Sequence, residues 1–317
     1  MQLSTEVKIN PLEQKISYGD KMLFLGSCFA DEVGKICRNL GFDALLNPFG
    51  VLFNPMSIAS ALTRLKKREQ YTHDDVISVG EGEFFCTFEH NTEFWETSEK
   101  VLLDRINNEL EANTEHFKKT RWVIISLGTA WVYRDKENHK IVSNCHKLPS
   151  QLFERSLLTV DDITIVLSDI VKSNPDKNFI FTISPLRHLK DGLHENQLSK
   201  ASLLLAVDAV CKASSNTFYF PAYEILLDEL RDYRFYKEDM THPTEQAVHY
   251  IWEKFIDFAI AEPDKEAIKM VETLQGMMRH RPMFPNSRQY DNFVKSKEKK
   301  AEEIRKSHPE VIIDNVM

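Results

Sequence analysis

Two short segments, far apart in the chain, carry residues that could perform acyl-transfer chemistry. Ser27 and Cys28 place a hydroxyl and a thiol side by side, directly after Gly26. Asp239 lies three residues before His242, so its carboxylate can accept a hydrogen bond from one imidazole nitrogen and leave the other nitrogen free as a general base. A nucleophile, a base and a carboxylate that orients the base form a nucleophilic hydrolase site if the fold brings them together.

A strand, a sharp turn and a helix are predicted around the first segment. The apolar run at 22–25 predicts a strand, and apolar residues at spacings of three and four from Phe29 to Leu40 predict a helix. Ser27 and Cys28 then lie between a strand's carboxyl end and a helix's amino end, where α/β proteins bind ligands and free N–H groups stabilise anions. The alternative is that Gly26 only makes a tight turn and Ser27 only caps the helix.

The second segment precedes another predicted helix, in which Pro243 takes the first position and apolar residues from Ala247 to Ala259 form a buried stripe. An isolated Asp-x-x-His sequence is more often a surface pair than a catalytic one. Here it closes the last strand–helix unit of the chain, whereas Gly26 opens the first. We therefore expect both segments at the carboxyl edge of one sheet.

Short apolar runs alternate with amphipathic segments along most of the chain. This order predicts an α/β fold with a mainly parallel sheet covered by helices on both faces. The predicted strands are 22–25, 42–46, 122–127, 178–183 and 217–221, and the predicted helices are 29–40, 56–67, 100–118, 161–173, 197–214, 222–230 and 243–259. A hairpin is predicted at 76–90, around the turn at Gly80-Glu81-Gly82.

Composition excludes several classes of protein. The chain has 317 residues, 42% hydrophobic and 28% charged, which is typical of a globular protein and argues against a disordered or membrane protein. A net charge of −8 argues against a nucleic-acid partner. Five scattered cysteines without a C-x-x-C pair indicate reduced thiols and a cytoplasmic location. No cofactor is expected, and no metal, because the spacing of His139, Cys145 and His146 fits a surface loop better than a zinc site.

The composition changes after residue 262. We predict an α/β domain at 1–262 and a charged helical extension at 263–317. Within the extension, helices are predicted at 265–278 and 291–306, separated by a proline-containing segment at 281–285.

Several motifs together resemble those of the GSCFA family. They are Gly-Ser-Cys-Phe-Ala at 26–30, Asn47-Pro48-Phe49-Gly50, Gly128-Thr129, Ser184-Pro185-Leu186-Arg187-His188 and Asp239 to Pro243. This family is similar to the SGNH, or GDSL-type, hydrolases. The resemblance implies a three-layer, flavodoxin-like α/β/α sandwich and a nucleophile-His-Asp site for ester hydrolysis or acyl transfer.

The resemblance also assigns roles by position. It puts Cys28 in the place of the nucleophile, with Ser27 replacing an aspartate, and Asp239 and His242 on the closing motif. A helix amino terminus would lower the pKa of Cys28 and make a thiolate plausible, whereas a small shift of the turn would present Ser27 instead.

The oxyanion hole is the second feature in which this sequence differs from the motifs of the SGNH hydrolases. The resemblance implies that Gly50 donates its N–H, and that the Gly128 motif should supply an asparagine where this chain has Ala130. Thr129, Asn47 and Arg187 are the candidates to replace that donor. Arg187, together with His188, could also bind a carboxylate or a sugar, or Arg187 could form a structural salt bridge.

The sequence therefore predicts a hydrolase or acyltransferase whose partner is a small-molecule ester, for example an acylated carbohydrate. Cys28 or Ser27 would attack, His242 would carry the proton, and Asp239 would orient the imidazole. The competing hypothesis is a binding protein that keeps the fold without turnover.

Overall fold

A computed structural model describes residues 5–280 and 287–313, and its centre is a parallel five-stranded sheet. The strands are β1 (Lys21–Gly26), β2 (Asp43–Leu46), β3 (Val76–Val79), β4 (Phe84–Thr87), β5 (Thr120–Leu127), β6 (Trp131–Asp135), β7 (Ile141–Val142), β8 (Phe153–Leu157), β9 (Asn178–Ile183) and β10 (Thr217–Tyr219). The helices are α1 (Cys28–Asn39), α2 (Pro55–Lys67), α3 (Glu99–Lys119), α4 (Val160–Ser173), α5 (Leu193–Ala213), α6 (Ala222–Glu224), α7 (Glu245–Ala259), α8 (Asp264–Arg279) and α9 (Arg288–Ser307). A π-helical turn, Ile225–Leu230, continues α6.

The central sheet has the order β10-β9-β5-β1-β2, and every neighbouring pair is parallel. Counted along the chain, this is the 2-1-3-4-5 order of flavodoxin-like folds, whose ligands bind beyond the carboxyl ends of the strands where the order reverses. The reversal lies between β1 and β5. All five predicted strands and the parallel sheet are therefore confirmed.

Successive side chains of β1 enter different apolar layers, as the pleat of a strand requires. Met22 and Phe24 pack in the layer that contains α1, α7, α8 and α9, whereas Leu23 and Leu25 pack in the layer that contains α2, α3, α4 and α5. Because both faces of the strand are covered, its sequence is an unbroken apolar run. The outcome is the expected three-layer arrangement of helices, sheet and helices.

One region differs from the prediction. Strands β7, β6 and β8 form a three-stranded antiparallel sheet in a stretch where no strand was predicted, while the predicted hairpin is present as β3 and β4. His146 is also not in a surface loop. It is buried, accepts a hydrogen bond from Nε1 of Trp95 at 2.8 Å and donates one to the carbonyl of Thr87 at 2.8 Å.

The start of α7 also differs from the prediction. The helix begins at Glu245, and Thr244 caps it by accepting a hydrogen bond from the N–H of Ala247. Pro243 lies before the cap and forms an isolated β-bridge with Tyr236. Proline therefore fixes the loop that enters the helix, and does not take the first helical position.

The carboxyl-terminal helices share the apolar layer of the main sheet. Val271 of α8 and Ile304 of α9 are fully buried in the same cluster as Cys37 of α1. The predicted break at 281–285 lies outside the described residues. Within 5–280 and 287–313, no helix is both long enough and apolar enough to cross a membrane.

Candidate active site

The turn after β1 depends on a residue without a side chain. Gly26 has φ +128°, and a Cβ there would overlap the carbonyl oxygen of Ser126 on β5. Its N–H donates to Oδ1 of Asn47 at 2.9 Å, and its carbonyl accepts from the N–H of Leu52 at 2.9 Å. These contacts hold the turn against the neighbouring strand and the following loop, and they start α1 at Cys28.

Ser27 is the less accessible of the two candidate nucleophiles. Its side chain is buried, and its Oγ is hydrogen-bonded to Oγ of Ser126 at 2.9 Å. It occupies the N-cap position of α1, but its side chain makes no capping hydrogen bond. Cys28 is partly exposed, so the arrangement favours the thiol over the hydroxyl.

The electrostatic surroundings of Cys28 differ from the expectation. Burial raises the pKa of its thiol, and the carboxylate of Glu32, one helical turn later, raises it further. Lys237 acts in the opposite direction, but more weakly than these two. The backbone N–H of Cys28, at the helix terminus, does lower the pKa, but by less than burial and Glu32 raise it. The net shift of the pKa is upward, opposite to the expectation of a thiolate.

Asp239 and His242 form the predicted hydrogen-bonded pair. Nδ1 of His242 lies 2.6 Å from Oδ2 of Asp239, and Oδ1 accepts the N–H groups of His242 at 2.9 Å and Thr241 at 2.8 Å. These bonds, the backbone N–H of His242 first, lower the pKa of Asp239 to about 2. The carboxylate stays ionised near neutral pH and holds the proton on Nδ1. Among the described residues, Nε2 of His242 has no hydrogen-bond partner.

A charged contact joins the loop of this pair to the helix of the thiol. Nζ of Lys237 lies 3.1 Å from Oε1 of Glu32 on α1, and the N–H of Lys237 donates to the carbonyl of His242 at 2.8 Å. The same ammonium group acts on the pKa of Cys28. The loop with the Asp239–His242 pair therefore packs on the first turns of α1.

Most of the expected oxyanion donors are already engaged. The N–H of Gly50 donates to the carbonyl of Asn47 at 2.7 Å and closes a turn, so in this structure it is not free to act as the donor that the resemblance implies. The N–H groups of Gly128 and Thr129 both donate to the carbonyl of Phe53, at 2.8 and 2.9 Å. The hydroxyl of Thr129 is 3.1 Å from that of Ser199 and accepts the N–H of Trp131 at 3.1 Å.

Three other donors remain near the turn. The N–H groups of Cys28 and Phe29, at the amino end of α1, donate to no other residue that the structure describes. Nδ2 of Asn47 is buried and has no partner there either, while Oδ1 of the same amide fixes Gly26. These groups can stabilise negative charge at the edge of the sheet.

Lys200 is an important residue that is not among the residues predicted for the site. It is fully buried in α5, and its Nζ donates to the carbonyls of Gly128 and Ser184, both at 2.7 Å. These carbonyls follow β5 and β9, so one ammonium group ties two strand ends together. Burial lowers its pKa to about 7. A lysine on the apolar face of a predicted helix was the signal that could have identified it.

Arg187 and His188 follow β9 at the same edge. The guanidinium of Arg187 stacks 4.1 Å from the ring centre of Tyr236, and no ion-pair partner for it is found in the described part of the chain. The N–H of Arg187 donates to the carbonyl of Thr241 at 3.2 Å. The backbone N–H of His188 donates to Oδ1 of Asn196 at 3.0 Å. Burial of the His188 ring, and then the charge of Lys200, lower its pKa to about 4.

The model of the GSCFA family matches residues 21–255, and the model of the GSCFA domain protein, C-terminal domain, matches residues 271–317. Comparison with curated proteins finds no match.

Proposed function

The chain belongs to the GSCFA family, and from the contacts around Cys28 and His242 we propose that it is a hydrolase or acyltransferase of small esters. Acylated carbohydrates are one class of such esters. The observation that carries the proposal is the 2.6 Å contact between Asp239 and His242, on a loop that Lys237 ties to the helix of Cys28. The likeness of the family to SGNH hydrolases belongs to this proposal.

The proposed reaction has two steps. Sγ of Cys28 attacks the ester carbonyl while its proton passes to Nε2 of His242, and the alcohol leaves with that proton, so that a thioester remains on Cys28. Water or an acceptor hydroxyl then gives its proton to His242 and attacks the thioester, which releases the acid or the new ester and restores the thiol. Asp239 stabilises the imidazolium in both steps.

A protonated resting thiol changes the role of the base. Since the pKa of Cys28 is raised, the proton has to leave during the attack, as in serine hydrolases, and no thiolate is stored beforehand. The N–H groups of Cys28 and Phe29, with Nδ2 of Asn47, are the proposed donors to the oxyanion. They replace the asparagine that would occupy the position of Ala130.

Hydrolysis of 4-nitrophenyl acetate by single variants tests the proposal. We expect Cys28→Ala and His242→Ala to lower kcat/KM at least about 10³-fold, and Asp239→Asn to lower it about 10²–10⁴-fold through the wrong imidazole tautomer. Ser27→Ala serves as the matched control and should change the rate by only a few fold. Full activity of His242→Ala or Cys28→Ala would refute the proposed site.

A second candidate function is a binding protein without turnover. The observation in its favour is that the side chain of Ala130 cannot donate a hydrogen bond, and its N–H is engaged with Oγ of Ser199 at 2.8 Å. The N–H groups of Gly50, Gly128 and Thr129 are engaged as well. Loss of one oxyanion donor typically costs about 10²–10³-fold in rate. Tight binding of an ester that the wild-type protein never hydrolyses would favour this function.

A further inference from the structure

A small pocket next to the Asp239–His242 loop is lined by cationic and aromatic side chains. Its volume is about 200 Å³, and its lining, which we name the arginine pocket, consists of Arg187, Leu226, Leu227, Arg231, Asp232, Tyr233 and Tyr236. Pockets that enclose a complete drug-sized ligand measure about 300–1,000 Å³. The arginine pocket is therefore suited to one group of a substrate, not to the whole molecule.

The backbone links this pocket to the candidate active site. The N–H of Arg187 donates to the carbonyl of Thr241 at 3.2 Å, and Tyr236 forms a β-bridge with Pro243. These two partners flank His242 on both sides in the chain. A group bound in the pocket would thus lie against the same short segment that carries the proposed base.

The charge of the pocket is mainly positive. Arg187 is held by the rings of Tyr236 and Tyr233, 4.1 and 5.4 Å from its guanidinium carbon, and has no ion-pair partner in the described part of the chain. Arg231 has only a loose, exposed contact with Asp228 at 3.9 Å, which contributes little.

One carboxylate opposes these two guanidinium groups. Asp232 lines the pocket, but it accepts the N–H of Arg234 at 2.9 Å and lies 3.9 Å from the guanidinium of that residue. Its negative charge is therefore partly balanced from outside the pocket. Two planar guanidinium groups and two aromatic rings suit a carboxylate or a phosphate attached to a flat or ring-shaped group.

We propose that the arginine pocket is a substrate subsite for a negatively charged group, so that the preferred substrates are esters that also carry a carboxylate or a phosphate. This inference rests on the proposed function, because it names the substrate class of that site. Arg187 would contact the anion, and the rings of Tyr233 and Tyr236 would keep its guanidinium in place.

Paired substrates and variants test the subsite. 4-Nitrophenyl acetate is neutral, whereas 4-nitrophenyl hydrogen succinate has the same leaving group and carries a carboxylate on its acyl group. We expect wild-type protein to prefer the succinate through a lower KM. Arg187→Gln should raise that KM about 10–100-fold, as the loss of a hydrogen bond to a charged group does, and should reduce the preference for the succinate over the acetate by the same factor. Arg38→Gln, exposed in the last turn of α1 and outside the pocket, is the matched control and should alter neither substrate.

Binding measured without turnover separates this inference from the proposed function. Calorimetric titration with inorganic phosphate and with succinate should show binding that Arg187→Gln and the exposed Arg231→Gln both weaken. Arg187-dependent binding in a protein that hydrolyses neither ester would support the subsite and refute the hydrolase. Equal hydrolysis of both esters, with no Arg187-dependent anion binding, would refute the subsite and leave the hydrolase standing.

Discussion

Burial raises the pKa of the Cys28 thiol most, and two charged side chains beside it, a carboxylate and an ammonium group, adjust it further. Glu32 raises the pKa of the thiol, and Lys237 lowers it, while the two groups also pair with each other at 3.1 Å. Removal of the Glu32 carboxylate would lower the pKa of Cys28 in two ways, because it would take away a negative neighbour and free the ammonium group of Lys237 from its ion pair. Removal of the Lys237 ammonium group would raise the pKa of Cys28 for the corresponding reasons.

Alkylation of Cys28 therefore provides a direct test at the residue scale. At pH 8 the wild-type thiol should react slowly with iodoacetamide, and its rate should rise with pH through and above the ordinary thiol range, because its pKa is raised. Glu32→Gln should react faster, by about threefold for each unit by which the pKa falls, since the thiolate fraction rises more than its nucleophilicity falls.

Lys237→Gln is the opposing variant and should react more slowly than the wild-type protein. Mass spectrometry of the Cys28 peptide measures the rate at this residue alone. Cys145, whose pKa burial raises to about 11, provides an internal reference that neither variant should change. Equal rates in all three proteins would show that neither group controls the thiol.

At the residue scale, the spacing of residues in the sequence predicts local contacts, but it does not predict the pKa of a side chain. The Asp239–His242 bond follows from a separation of three residues, and it forms as expected. The pKa of Cys28 depends first on burial, which no local pattern contains, then on Glu32, four residues later, and least on Lys237, more than two hundred positions away. The N–H of Gly50 is engaged because Asn47, at φ +37°, turns its carbonyl toward it, a backbone detail that residue types do not reveal.

At the scale of elements, the junction of β1 and α1 tolerates no Cβ. Gly26→Ala would press a methyl group into the carbonyl of Ser126 and hold alanine at φ +128°. We expect a loss of about 3 kcal/mol or more in the free energy of unfolding, from overpacking and backbone strain together. Urea unfolding followed by circular dichroism measures it.

Gly276 on α8 is the matched control for this substitution. It lies in a helix, its φ is not positive, and a Cβ there meets nothing within 4 Å. Gly276→Ala should stabilise the protein by about 0.5–1 kcal/mol, because alanine loses less backbone entropy in a helix. Wild-type stability of Gly26→Ala would contradict the close approach of β1 to β5.

The elements that the sequence predicted are those with long periodic signals. The strand at 122–127 is an unbroken apolar run in the sheet centre, and it forms as part of β5. The sheet of β6, β7 and β8 does not follow from the sequence because β6 and β8 are rich in polar residues and largely accessible, and therefore contain no long apolar run. The third strand, β7, has only two residues. The order of this sheet is fixed by pairing across it, for example Trp131 with Leu157.

At the scale of the whole molecule, the reversal of strand order places the candidate site residues at one edge of the central sheet. Because β1 and β5 are neighbours with crossovers to opposite sides, their carboxyl ends open a crevice. Cys28 follows one of these strands, and Gly128, held by Lys200, follows the other. The alternation of elements predicts this parallel sheet, but the burial of Lys200 between strand ends becomes visible only in three dimensions.

Hydrogen bonds join α8 and the segment after α9 to the main domain. The N–H of Ile312 donates to the carbonyl of Gly41 at 2.8 Å, and Nε2 of Gln275 donates to that of Asn39 at 2.6 Å. Both contacts reach the end of α1. Since the cluster around Ile304 is continuous with the layer below the sheet, we expect the helices to unfold together with it.

A substitution in α9 tests this shared core. Ile304 is fully buried, so Ile304→Ala should lower the free energy of unfolding by about 2–5 kcal/mol, through lost burial and the cavity that remains. The transition should stay single, and both the far-ultraviolet signal and tryptophan fluorescence should shift to the same lower denaturant concentration. Leu205→Ala, at a side chain that is 60% exposed, should change stability by only about 0.5 kcal/mol. Two separate transitions, of which only one responds to Ile304→Ala, would show that the extension folds independently of the sheet.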